Sequence, residues 1–494
     1  MKKNYAQISE EIDYLVRNVL GAKYLINPFF RISKTTPEET KIYQVIKSSH
    51  SFSYHFLCSV GILIGNLVKT GFYVFMSFIM LYQYFFISRS REEINYFFLT
   101  HAVGANIGPN QTDQYFALMP QFLNAQKYNV AMFYTNHNKF GYLKNYYKLK
   151  NKNTGLETYL CPKFMLPHEN IEFLFESFTR AINCLKIGIK TIRKEPNHSK
   201  ILIAALPYFF SRGAYNNYLL KKRCLGIQKR TKPRFFIFTF EGYSYEQYVF
   251  DALRESKSVC HGIFYQHSPI VPGHVGLIHF MQGLQSKVQI MVTGDIYKKY
   301  FENYLSPLDI AVVGSQKSQR REIKTLTQNE NTLLFVPEGT QQATLEFIDL
   351  IQELIYSDLP NLIVLRLHPN LRTSFKINNQ LQKLHSYKNF CVSKSDLNSD
   401  LEKSAFVFFR SSAVGVEALL SGANLVFYSK SNEPDINPLS IINDLCFQAS
   451  NVSDVLNLVK SKHEEINTQE RSEVFSEFFS ELNYSLLLNL EKNA

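Results

Sequence analysis

From Ile94 onward, short apolar runs alternate with stretches in which apolar residues recur every three or four positions. The first kind reads as buried strands and the second as amphipathic helices. INYFFLT, YNVAMFYTNH, KILIAALPYF, RFFIFTF, GIFYQHS and VQIMVTG are strand-like, HAVGANIGPNQT is a Gly-containing loop, and DQYFALMPQFLNAQ and DIYKKYFENY are helical. This alternation predicts a largely parallel, doubly wound sheet. IAVVGSQKSQRREIKTLTQNENT then turns polar and charged, as a linker between domains does. A second series follows in TLLFVPEGT, NLIVLRLHP, NFCVS, AFVFFRSS and NLVFYS, five short runs mostly succeeded by helical stretches. After Pro438 the pattern is helical to the end, and a last helix of roughly Glu470 to Leu490 is expected to pack back across the first domain. The predicted class is α/β, with Rossmann-like domains over 93–318 and 319–460 and a C-terminal helix in 461–494.

Residues 1–92 break this rhythm. The first 55 are polar, with a short helical period in IDYLVRNVL. Phe56 to Val68 is almost wholly apolar, Lys69 and Thr70 interrupt, and Gly71 to Ser88 carries no charge before Arg89 and Arg91. Eighteen uncharged residues sit at the lower limit for spanning a bilayer. Gln83, three tyrosines and basic residues on both flanks argue against a span, so 56–88 is expected to lie as a helix or hairpin in the membrane interface. A buried core helix is the alternative.

Composition narrows the classes. A chain of 494 residues exceeds one core, and 45% hydrophobic with 19% charged residues describes a folded protein. The formal charge of +12 suits anionic partners: a nucleotide-activated substrate, nucleic acid or the inner leaflet. No nucleic-acid recognition module accompanies it, so nucleic acid is not an expected partner. Seven scattered cysteines form no CxxC pair, which suits a reducing cytoplasm and suggests neither a disulfide framework nor a zinc site. The N-terminus lacks the apolar core of an export signal, so a cytoplasmic protein at the inner-membrane surface is expected.

Candidate chemistry gathers at strand ends. LRLHPN places His368 before Pro369, which keeps the histidine out of helical dihedrals and presents the imidazole at a turn. FRSSAVGVEALLSG puts Ser411 and Ser412 before a helix start, where a serine caps and backbone N–H groups face an anion. FVPEGTQQ supplies Glu338, Gly339 for a tight bend, and Thr340 as a further cap. Three such turns are expected to converge on one crevice at the carboxyl edge of a parallel sheet. Taken singly, a structural histidine and plain serine or threonine caps explain them as well. In the first series, RFFIFTFEGYSYEQ delivers Glu241 at a strand end, Gly242 at a turn and Glu246 one turn into a helix. Either carboxylate suits a general base for an acceptor hydroxyl, and helix N-terminal charge compensation is the plain alternative for Glu246. GIFYQHSPIVPGH adds Gln266, His267 and Ser268 as groups able to contact acceptor or donor. Lys221, Lys222, Arg223, Lys229 and Arg230 form a basic cluster facing either an anionic partner or solvent. There is no P-loop and no DxD at a strand end, so no metal or resident cofactor is expected.

On these residues the chain resembles bacterial glycosyltransferases of the GT-B architecture, in which two Rossmann-like domains face each other across the active site. More narrowly it resembles CMP-sugar enzymes, the bacterial sialyltransferases and capsular Kdo transferases. The sialyltransferase motifs correspond to Phe240-Glu241-Gly242, His368-Pro369 and Ser411-Ser412, within roughly 235–430. Position 240 is phenylalanine where that family carries a carboxylate, which passes the base role to Glu241. FEGYSYEQ with FYQHSPIVPGH also resembles a group of surface-carbohydrate biosynthesis proteins whose motif holds both glutamates and the QHS. The resemblance implies an inverting, metal-independent transfer of a sialic-acid-like or Kdo-like sugar from CMP to a glycan or glycolipid acceptor, a surface polysaccharide or lipopolysaccharide. It implies that the second domain holds the donor through His368, Ser411 and Ser412. A CDP-glycerol-type polyol-phosphate transferase and a catalytically silent scaffold of a membrane assembly complex are the alternatives.

Overall fold

The structure is a computed structural model that describes residues 52–81, 83, 93–102, 113, 115–136, 142–152, 155–256, 260–271, 288–304, 309–319, 332–357, 359–372, 374–429, 436–442, 445–461 and 467–493. The helical period in IDYLVRNVL, residues 84–92, most of the HAVGANIGPNQT loop, residues 272–274 and most of the charged linker lie outside them.

Two all-parallel sheets form the frame. The first has seven strands, β1 (Tyr96–Ala102), β2 (Val130–Asn136), β3 (Glu157–Leu160), β4 (Phe235–Thr239), β5 (His261–Gln266), β6 (Val288–Val292) and β7 (Asp309–Val312), in the order 3-2-1-4-5-6-7. The second has six, β8 (Thr332–Val336), β9 (Leu362–Leu365), β10 (Phe390–Val392), β11 (Phe406–Phe409), β12 (Asn424–Tyr428) and β13 (Phe447–Ala449), in the order 10-9-8-11-12-13. Counted within its own domain, the second sheet runs 3-2-1-4-5-6, the Rossmann order, and the first runs the same with a seventh strand added at the end. Each therefore reverses direction of growth once, between β1 and β4 and between β8 and β11. The central strands β4, β8 and β11 are buried along their whole length, as parallel strands covered on both faces must be. Two Rossmann-like domains facing across a cleft make this the GT-B arrangement.

The helices used below are α1 (Phe52–Ile79), α2 (Pro167–Thr191), α3 (Pro196–Ala205), α4 (Arg212–Thr231), α5 (Ser244–Glu255), α6 (Gln341–Tyr356), α7 (Leu397–Glu402), α8 (Val414–Glu417), α9 (Thr468–Phe478) and α10 (Ser485–Asn493). The C-terminal segment ties the domains together. Arg471 donates to the Ala423 carbonyl in the second domain at 2.7 Å, while Ser480 N donates to Thr293 O and Asn483 N to Val313 O in the first. Gly294 and Gly314 make this crossing possible: a Cβ on either would lie 2.1 Å from the carbonyl oxygens of Glu477 and Glu481.

Several sequence expectations change here. KILIAALPYF is not a strand but the end of α3 and the 3-10 turn Leu206–Phe210. A run that is apolar all round satisfies a buried helix and a buried strand equally, and Pro196 in the first turn decides for the helix. The polar linker begins later than expected, because Asp309–Val312 is the seventh strand. β3 and β13 went unrecognised; four and three residues are too short to show a period. β13 also interrupts the tail expected to be helical, and the last helix is two, α9 and α10. Lys69 and Thr70 interrupt nothing: α1 runs unbroken through them.

Candidate active site

The cleft lies between the carboxyl edges of the two sheets and has a volume of about 920 Å³, enough for a nucleotide sugar. Its walls come from the loops after β4 and β5, the segment after β7, and the loops after β8, β9 and β11. Both direction reversals therefore open onto it, which is where open α/β sheets bind ligands.

On the first-domain wall, Glu241 follows β4. Phe240 turns inward against Phe264 and Phe301 and is 1% exposed, so the site carboxylate belongs to position 241. Glu241 Oε1 lies 2.6 Å from His267 Nε2, and Tyr115 sets its ring edge-on to the imidazole at 4.7 Å between centroids. His267 Nδ1 is buried with no hydrogen-bond partner among the described residues. Burial, aided by the charge of Glu241, pushes the Tyr115 hydroxyl well above its ordinary range.

Glu246 does not line the cleft. Its carboxylate accepts the backbone N–H groups of Glu241 at 2.6 Å, Gly242 at 2.9 Å and Tyr243 at 3.1 Å, capping α5 from inside. Burial raises its carboxyl well above the ordinary range against the pull of those donors. The geometry replaces the catalytic expectation for Glu246 with a positioning one: it holds the loop that aims Glu241. Gly242 meets the same turn with φ of 83°, a left-handed conformation suited to glycine. Gln266 is likewise behind the wall. Fully buried, it accepts from Thr293 N and Oγ1 and donates to the Ser268 carbonyl, so it cannot reach a substrate.

On the second-domain wall the turns touch. A Cβ at Gly339 would lie 3.0 Å from His368 Nδ1, so the turn after β8 is packed against the imidazole after β9. Burial lowers the His368 pKa below its ordinary 6.5, which favours the neutral imidazole at pH 7. Glu338 lies at the cleft rim and pairs with Arg410, which also holds Glu346 at 2.6 Å. Ser411 and Ser412 line the cleft, and Ser412 Oγ accepts from Val414 N at 3.2 Å. Gly415 is required three residues after Ser412, since a Cβ there would stand 2.5 Å from the Phe409 ring.

The expected convergence of three helix starts is reduced. Only the β8 turn leads into a full helix, α6, whose cap is Thr340 accepting from Ala343 N at 3.2 Å. Pro369 opens a three-residue 3-10 turn, and α8 after the serines has four residues, too short for an appreciable dipole. Thr340 and Pro369 shape the wall from behind and do not line it. Three of the five residues of the basic cluster are ion-paired: Lys221 with Glu255 at 2.7 Å, Lys222 with Glu172 and Arg223 with Glu169.

The sequence reading missed Lys317, Asn398 and Glu402. Lys317 comes from the connection after β7 and is the one lysine or arginine lining the cleft among the described residues. Its ammonium lies 2.9 Å from the buried carboxylate of Glu417 and 5.0 Å from the Phe479 ring centroid. Asn398 and Glu402 sit on α7, where nothing in LNSDLE distinguishes them from an ordinary surface helix.

No family model matches this chain, and neither does any curated protein. Solved structures align with this chain at low identity. UDP-N-acetylglucosamine 2-epimerase from Rickettsia bellii aligns at a TM-score of 0.46 and 10% identity over 81% of this chain and 97% of its own. MurG from Acinetobacter baumannii aligns at 0.44 and 9% over 81% and 100%, and the lipopolysaccharide outer core galactosyltransferase WaaB at 0.42 and 12% over 81% and 99%. At these scores and identities the likeness carries no argument of its own.

Proposed function

We propose that this protein is an inverting, metal-independent glycosyltransferase that moves an acidic, sialic-acid-like or Kdo-like sugar from a CMP donor to a surface-polysaccharide or lipopolysaccharide acceptor. The observation that carries the reading is the single cleft that joins the Glu241–His267 pair to His368, Ser411 and Ser412 across both sheet reversals. The choice of CMP rests on the resemblance of the His368-Pro369 and Ser411-Ser412 turns to those of CMP-sugar enzymes.

In this mechanism the acceptor oxygen attacks the anomeric carbon from the first-domain side as the bond to the donor phosphate breaks. Glu241 takes the acceptor proton, and His267, bound to one of its oxygens, fixes the carboxylate's direction. The phosphate leaves with the bonding electrons toward the second domain. Neutral His368 donates an N–H to it, and the serine hydroxyls and the Lys317 ammonium add donors where charge develops. The low dielectric between two closed walls strengthens each of these interactions.

Thermal melting with CMP, CDP, UDP and GDP tests the donor class. A ligand bound only by the native state at a hundred times its Kd adds about 2.7 kcal/mol of stability. CMP is expected to raise the melting temperature most; a response to UDP or GDP without one to CMP overturns the donor assignment.

A further inference from the structure

α1 is built inside out. Its protein-facing side carries His55, Ser59, Thr70 and Ser77, all buried, among the partly buried Leu63, Leu67 and Tyr73, and Asn66 donates to the Pro207 carbonyl at 2.8 Å. Its outward side carries Leu57, Ile64, Val68, Phe72, Phe75 and Ile79, spaced at three, four or seven residues so that they form one stripe. Leu57 and Val68 are each 70% exposed. A helix facing water arranges these classes the other way round. α1 is also the one helix among the described residues long and apolar enough to cross a bilayer. Yet its C-terminal half is fastened: Asn66 and Thr70 bond to the turn at 206–210, the Tyr73 ring centroid lies 4.8 Å from that of Tyr215, and just past the helix Gln83 accepts from Lys163 N at 2.9 Å. A helix so attached cannot cross a bilayer without drawing the first domain in with it.

α2, which the sequence reading did not single out, repeats the pattern. Ile171, Phe175, Ile182 and Ile189 form an exposed stripe, with Phe175 76% exposed. α1 and α2 pack against the same turn, where Phe210 meets Thr70 of one through its carbonyl and Phe178 of the other through its ring. Two exposed apolar stripes on helices packed against one turn are the kind of surface that marks a docking site. At its end lie Lys186, Lys190, Arg193 and Lys194, all exposed, with Glu195 the one acid in the run 186–195. This charge selects the occupant, since a basic rim on an apolar platform fits an anionic lipid surface.

We propose that α1 and α2 together dock the first domain on an anionic bilayer, lying in the plane of its interface, with the basic end of α2 on the headgroups. The docking stands on these two helices alone. That it presents a lipid-borne acceptor to Glu241 rests on the glycosyltransferase reading, and Arg180 of α2, which donates to Tyr248 of α5 at 2.8 Å, joins the platform to the helix Glu246 caps.

The chain has no tryptophan, so Phe75→Trp and Phe175→Trp each install a sole indole emitter, one per helix. With vesicles rich in phosphatidylglycerol, both emissions are expected to shift to the blue and to be quenched more by lipids brominated near the headgroup than by those brominated deep in the chain. Lys190→Glu with Lys194→Glu is expected to weaken vesicle binding at least about tenfold, each basic residue at such a surface being worth roughly fivefold. Turnover on a soluble acceptor is expected to stay unchanged in that variant, which separates failure of docking from failure of the catalytic reading. A response from Phe75→Trp alone, or deep quenching there, overturns the platform in favour of a span. A shift without vesicles that grows with protein concentration assigns the surface to a second copy, an unchanged emission shows that the lipid does not reach it, and equal binding to neutral vesicles overturns the role of charge.

Discussion

The two walls of the cleft are made differently. On the second-domain wall packing sets the turns, although Glu338 there is ion-paired with Arg410: Gly339 lies against the His368 ring, Gly415 against Phe409, and the serines follow a strand buried at every position. The first-domain wall is shaped by charge. Glu241 is paired with His267, and a second, buried carboxylate holds the loop beneath it by three backbone N–H groups. A wall set by packing gives fixed donor positions and suits a ligand whose charge changes little before reaction. A wall set by ionisable pairs can accept a proton. On the proposed function, donor binding falls to one side and acid–base work to the other, and variants on each side should fail in different ways.

The largest effect is expected from Glu241→Gln. It keeps the shape of the first wall and removes its basicity, so kcat should fall by about 10³-fold, within the usual range for loss of a general base, with the Kd for CMP unchanged. Turnover assays with calorimetric titration of the nucleotide would check both halves. Loss of CMP binding with turnover retained would break the contrast between the walls.

Next comes His368. His368→Ala should lower kcat/KM by about 10²-fold and weaken CMP binding as well, because a donor to the leaving phosphate acts before and during reaction. His368→Asn keeps an N–H and should recover part of the loss. The folded pKa lies below 6.5 because burial disfavours the cation. The unfolded chain therefore binds more protons between the two values, and stability falls as pH drops below 6.5 toward the folded pKa. His368→Asn should lack that slope in denaturant titrations across pH. A wild-type activity that rises on acidification through 6.5 would instead make the imidazolium the working form.

Legibility in the sequence followed the same division. Strands buried on both faces are unbroken apolar runs, so β4, β8 and β11 and the turns after them could be read directly. What the turns do could be read only in part. His368-Pro369 and Ser411-Ser412 adjoin the strands that deliver them, but the contact between Gly339 and His368 joins positions 29 residues apart and leaves no local trace. Lys317 was hidden for a related reason: in a polar, charged stretch, nothing marks which lysine will meet a buried glutamate a hundred residues later. Glu246 was visible as a candidate but its task was not, because a carboxylate three residues into a helix fits a cap and a catalytic base alike, and only in the structure do its three N–H partners point to the cap. The inside-out polarity of α1 could not be read either, since an apolar run shows that a face seeks cover without showing which side meets the protein.

The smallest expected effect sharpens the contrast most. Glu246→Gln preserves volume and one acceptor oxygen but turns an amide NH₂ toward N–H groups that now meet a carboxylate. At least one buried donor is left unsatisfied, which costs about 1–3 kcal/mol in a denaturation experiment. The loop carrying Glu241 then loses its fixed direction, and kcat should drop about tenfold while KM for the donor and the Kd for CMP stay as they were, since no atom of Glu246 lines the cleft. A general base in the same position would instead lose activity on the scale of Glu241→Gln with little change in stability. The pairing of lost stability with a modest, kcat-only defect is therefore the signature of a residue that acts through its neighbour, and it would place the first wall's chemistry on Glu241 and His267.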